Sequence, residues 1–118
     1  MKFIGAVLAS GLVCASAQAA DKSGHFQTLG AGALACSKYL AADNQDKVYA
    51  ETWWAGYMTA MNRWTDDTWS FEGKKSADDV NAMLREECAA NPQELIANAV
   101  HNVLEKLYPD RRQTGPSD

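Results

Sequence analysis

The side chains able to take part in chemistry are few. They are cysteines at 14, 36 and 88, histidines at 25 and 101, the acidic pairs Asp66-Asp67 and Glu86-Glu87, and the tryptophans Trp53, Trp54, Trp64 and Trp69. A cysteine nucleophile needs a free thiolate beside a base. Cys36 and Cys88 instead fall on the apolar faces of expected helices, so a buried structural disulfide accounts for both. Two isolated cysteines do not make a zinc set. His25 lies in a polar stretch and His101 flanks an apolar helix face, which reads as a rim position with pH sensing as the alternative. Asp66 and Asp67, between Thr65 and Thr68, lack the spaced ligands of a calcium loop and read as turn or cap residues. Glu86 and Glu87 read as a solvated helix face. No catalytic, metal or cofactor pattern emerges, and the expectation is a non-enzymatic protein without a cofactor.

The aromatic residues carry more information. Four tryptophans fall within residues 53–69. Most of that mass belongs in a core. Adjacent Trp53 and Trp54 point about 100° apart on a helix, so a narrow stripe cannot bury both, and one is left for a partner interface, where tryptophan is enriched. The candidate partner-binding residues are therefore Trp53, Trp54, Tyr57, Met58, Trp64, Asp66, Asp67 and Trp69.

The elements that must hold these residues follow from the pattern along the chain. Met1-Lys2, an apolar run to about Ala15 and Ala17-Gln18-Ala19 read as a signal peptide cleaved near Ala19. The apolar run is too short to span a bilayer. Val13 stands where a lipobox wants a small residue, so Cys14 leaves with the leader and an even pair remains. Cleavage leaves 99 residues, enough for one domain, with ten basic residues against 15 acidic and a formal charge of −5. Nucleic acid is then an unfavourable partner, and no stable membrane anchor is expected. Export makes pairing of Cys36 with Cys88 the default.

Residues 20–25 form a polar lead-in. Leu29, Ala33, Cys36 and Leu40 recur at helical spacing and predict a first helix ending near Ala42, its start weakened by Gly30 and Gly32. A second helix is expected over 46–62, with a wide apolar surface and a small-residue groove at Gly56 and Ala60 ready to receive another helix. Residues 65–75 read as a long ordered loop. Ser76 to Asp79 resembles a capping box, with Asp in place of Glu, that opens a third helix carrying Val80, Leu84 and Cys88. Asn91-Pro92-Gln93-Glu94 predicts the start of a fourth helix, whose apolar face runs from Leu95 to Leu107 before Pro109 stops it. The fold expected is an all-α, small four-helix orthogonal bundle with one disulfide over residues 20–109, followed by a disordered tail over 110–118.

Three blocks, Leu34-Ala35-Cys36-Ser37-Lys38-Tyr39-Leu40, Trp54-Ala55-Gly56-Tyr57-Met58-Thr59-Ala60-Met61-Asn62 and Cys88-Ala89-Ala90-Asn91-Pro92, together with the run to Tyr108-Pro109, give the chain its flavour. In these it resembles the HdeA/HdeB-like family of small exported single-disulfide helical proteins, proteobacterial members in particular. The resemblance implies a periplasmic protein that binds other proteins, with a homodimer among its expected states. Similar two-cysteine helical domains include acid-stress chaperones and immunity proteins that block toxins delivered by type VI secretion. As a chaperone it would hold unfolded clients. Full carboxylate protonation would carry the cleaved chain from −5 to about +12, a swing able to loosen a compact dimer while a disulfide limits unfolding. As an immunity protein it would insert the loop over 65–75 into a toxin's active site.

Overall fold

A computed structural model describes residues 20–117; the expected signal peptide over 1–19 lies outside the described residues. Among the described residues the regular structure is helical. A 3-10 turn, Gly30–Ala33, precedes α1 (Cys36–Ala41), α2 (Asn44–Trp64), α3 (Ala77–Ala90) and α4 (Ile96–Leu107), and a final 3-10 turn, Tyr108–Asp110, follows. Among the described residues, extended pairing is confined to the isolated bridges Ala35–Leu95 and Ser70–Arg112. Cys36 and Cys88 form the disulfide, with Cα atoms 4.9 Å apart across 52 positions of sequence, and so join the first turn of α1 to the end of α3.

Helix α2 starts two residues before the expected point because the Asp43 carboxylate accepts from the Asp46 amide and caps the N-terminus. It buries Ala50, Trp54 and Met58, one i, i+4 row, while the adjacent row of Trp53, Tyr57 and Met61 packs partly against the core. Val48 and Tyr49, read as part of a wide apolar face, are exposed. The groove expected at Gly56 and Ala60 receives no helix: both are exposed, and a Cβ placed on Gly56 would meet nothing within 4 Å. The capping box of α3 forms as read. Ser76 Oγ accepts from the Asp79 amide, and the Asp79 carboxylate accepts from the Ser76 amide and lies below its usual carboxylate range on account of those Ser76 hydrogen bonds.

Two expected helix starts are displaced for one shared reason. Residues 29–35 do not continue α1, and residues 92–95 do not open α4; the two segments lie side by side instead. The Cys36 amide donates to the Glu94 carbonyl at 2.7 Å, the Ser37 amide to the Pro92 carbonyl at 2.9 Å, and the Ile96 amide to the Leu34 carbonyl at 2.9 Å. Neither α1 nor α4 has a side-chain cap. Each instead satisfies orphan N-terminal amides with backbone carbonyls preceding the other. The local helix signal at Asn91 to Glu94 yields to that pairing.

The tail also departs from expectation. It does not leave the fold at 110, because Trp69 and Ser70 donate to the Arg112 carbonyl at 2.8 and 3.1 Å and Arg112 donates back to Ser70 at 2.8 Å. Gly73 makes the crossing possible. It has φ +62, and a Cβ there would lie 2.5 Å from the Asp110 carbonyl oxygen.

Candidate functional site

The four tryptophans take four different environments. Trp54 is core, 4 % exposed, with its indole N–H donating to Asn81 Oδ1 at 2.6 Å. Met58, one turn on, is buried beside it in the same row. These two therefore drop out of the candidate partner surface, since a side chain at the centre of the core offers a partner no area. Trp53 turns to the other side of α2. Its indole lies on the glycine turn, donates to the Leu29 carbonyl at 2.7 Å, and stacks on Tyr57 with centroids 5.5 Å apart. A Cβ on Gly32 would fall 2.1 Å from the Trp53 ring, so only glycine admits the indole there. Gly30 and Gly32, read as weaknesses of a helix, form the seat of this tryptophan.

Trp64 is 79 % exposed at the end of α2. Trp69 is about half exposed, with the Arg112 guanidinium 4.7 Å above its ring and Gly115 against its edge. Asp66 and Asp67 are exposed in the loop, and Asp67 takes φ 51, a left-handed conformation that aspartate tolerates within a turn. Thr68 ties the loop to the tail, donating to the Asp66 carbonyl and accepting from Arg111 Nε, both at 3.0 Å. Asn62, at the end of the second resemblance block, accepts from the Phe71 amide at 2.9 Å and draws Phe71 into the core.

Among the candidate residues, Tyr57 lines a sizeable cleft. That cleft, of about 510 Å³, is walled by Tyr57 and Met61 of α2, Asn98 and His101 of α4, and Ala20, Gly24 and Phe26 of the lead-in. A second cavity of about 190 Å³ shares Met61 and His101 and reaches Phe71, Leu104 and Tyr108. Burial pushes the Tyr57 hydroxyl above its ordinary value. His101 is exposed at the rim, 3.4 Å from Glu105. Neither Met61 nor His101 was among the candidate partner-binding residues; Met61 stands one helical turn beyond Tyr57, whereas His101 lies on α4, far from every candidate in sequence.

No family model, curated protein or solved structure matches the chain. What the arrangement can do must be read from its own groups. Among the described residues no cluster of three or more His, Cys, Asp or Glu is placed to hold a metal ion, and no helix is long and apolar enough to cross a membrane. Both described cysteines are oxidised to each other.

Two carboxylates bind helices together near the disulfide. Glu87, next to Cys88, is 9 % exposed at its side chain, accepts from Asn102 Nδ2 at 2.9 Å and pairs with Lys106 Nζ. The Lys106 contact, opposed by burial and aided by Asn102, holds its carboxyl below the usual range. Asn102 also donates to Glu94 Oε1 at 3.4 Å, so a single α4 amide spans the α3–α4 corner. On the α2 side Glu51 accepts from the buried Tyr39 hydroxyl at 3.1 Å and faces Arg85 at 3.6 Å, Tyr39 and Arg85 each standing three residues from a disulfide cysteine. Burial, then the Glu51 charge, pushes the Tyr39 hydroxyl up to about 12.

Proposed function

We propose that this is a non-enzymatic periplasmic protein of the HdeA-like kind that holds unfolded clients during acid stress. The observation that carries the reading is Glu87. A largely buried carboxylate beside Cys88, kept anionic by Lys106 and Asn102, joins α3 to α4 and makes that junction depend on a charge that acid removes. Because its folded-state pKa lies below the unfolded value, its stabilising effect is complete above the ordinary carboxylate range and is lost as pH falls through the depressed value. The helices then loosen while Cys36–Cys88 still ties α1 to α3. Large apolar side chains are already exposed in the closed form, among them Phe26, Leu29, Val48, Tyr49, Trp64 and Trp69, and loosening adds to that surface. The test is aggregation of a model client, light scattering being followed with and without the mature oxidised chain at pH 7 and at about pH 2 to 3. Suppression confined to acid is expected; no suppression at either pH defeats the proposal.

One observation favours a second reading, an immunity protein that blocks a periplasmic toxin delivered by type VI secretion. The 65–75 loop is braced on the tail through Ser70–Arg112, presents Asp66, Asp67 and Trp69 to solvent, and so offers a preorganised acidic and aromatic projection. Tight binding at neutral pH to a toxin encoded beside this gene, lost in Trp69→Ala, would favour this reading over the first.

A further inference from the structure

The cleft between α2 and α4 is apolar where Tyr57 and Met61 face Phe26, and its outer wall is the chain's own lead-in. That wall is held unusually lightly. Among the described residues its hydrogen bonds all run between residues 21 and 25: Asp21 N–H to the His25 carbonyl, Gly24 N–H to the Asp21 carbonyl, and the Ser23 and His25 amides to Asp21 Oδ1. Among the described residues none joins 20–26 to α2 or α4. The first fastening to the body is the Trp53 indole on the Leu29 carbonyl, beyond Phe26. Phe26 itself stays 59 % exposed while lining the cleft. An irregular segment thus walls an apolar groove with no hydrogen bond to either helix among the described residues, and its one aromatic side chain stays more than half exposed.

We propose that residues 20–27 are a strap that covers a client-binding groove between α2 and α4, and that an extended apolar segment of an unfolded protein displaces them. The occupant is inferred from what already covers the groove, a non-helical stretch presenting one aromatic and small residues without directional bonds to either helix. A client segment of that chemistry makes the same contacts. The second cavity supplies the entry, because it continues past Met61 and His101 to Phe71 and Tyr108, outside the span of the strap. A client engages there first and displaces Phe26 as it advances. The strap lowers apparent affinity by the fraction of molecules in which it is closed. This inference rests on the protein-holding reading and adds the place and the regulation of binding.

The experiment compares the mature oxidised chain with Phe26→Ser, which loosens the strap, and Asn98→Glu, which puts a charge at an exposed rim position of the groove. The probes are permanently unfolded, reduced and carboxymethylated α-lactalbumin and the neutral dye Nile red, with far-UV circular dichroism as the folding control. Phe26→Ser should raise affinity for Nile red at neutral pH and for the client in acid by about tenfold, and Asn98→Glu should lower Nile red affinity at neutral pH, where its carboxylate is charged, by about as much. Unchanged Nile red and client binding in both folded variants would overturn the strap. Failure of all three proteins to bind the client at neutral or acid pH, with the dye responses as expected, would leave the groove and its strap standing and remove the protein-holding reading instead.

Discussion

Trp53 and Gly32 form a pair in which neither residue type makes sense alone. An indole laid flat on backbone requires that the backbone carry no Cβ, and the 2.1 Å approach leaves no room for one. Gly32→Ala should therefore destabilise the protein by about 1 to 3 kcal/mol, the range for overpacking, although alanine is the better helix former. Urea denaturation checks this, and the penalty should shrink in a Trp53→Ala background because the clash partner is gone. Glu87 gives the corresponding pH prediction. Glu87→Gln should cost about 1 kcal/mol at neutral pH, the exposed Lys106 partner being screened, and the difference from the native protein should vanish as pH falls through the depressed Glu87 pKa. Stability measured against pH in both proteins decides it; a difference that persists in strong acid would show that Glu87 acts through the hydrogen bonds of its carboxyl and not by charge. Glu87 is also the residue that local pattern misplaces most. Beside Glu86 it reads as solvated, and only the approach of Asn102 and Lys106 from α4 encloses it.

The helix ends separate local from tertiary control. Ser76 and Asp43 act through amides three residues ahead, so their caps are readable from the chain and both are present. Ser76→Ala should lower stability by about 1 kcal/mol by removing a two-way cap, as thermal or urea unfolding would report. The starts of α1 and α4 behave oppositely. Their amides are satisfied by carbonyls some 58 residues away, as Cys36 on Glu94 shows, and no local pattern signals such a partner. The 65–75 loop is held the same way, with Asn62 gripping Phe71 from one side and Arg112 gripping Ser70 from the other. Truncation after Asp110 should leave the four helices intact but free this loop. The expected signs are a red shift of tryptophan emission as Trp69 loses Arg112 and Gly115, and faster proteolysis within 65–75. An unchanged loop would mean that Asn62 alone secures it.

The disulfide sets the stability of the fold as a unit. Closing 52 positions is worth about 4 kcal/mol by loop entropy, against roughly 5 to 15 kcal/mol for a small domain in total. Double replacement of Cys36 and Cys88 by alanine should thus lower the unfolding free energy by about 4 kcal/mol, read as a fall in the urea midpoint at 25 °C, while a loss of under 1 kcal/mol would assign the fold to its apolar core. The all-helical class, the inward faces of α3 and α4 and the pairing of Cys36 with Cys88 were legible in sequence because helical periodicity and cysteine parity are local or countable properties. Which tryptophan is core, which glycines are seats, where α1 and α4 begin and which residues line the α2–α4 cleft were not. Adjacent Trp53 and Trp54 carry equal apolar signal, and the choice between them depends on what each meets: Asn81 and the core for one, the Gly30–Ala33 turn for the other. Periodicity specifies the angle between two side chains on a helix, whereas the neighbours that fill those directions come from distant parts of the chain and exist only once it has folded.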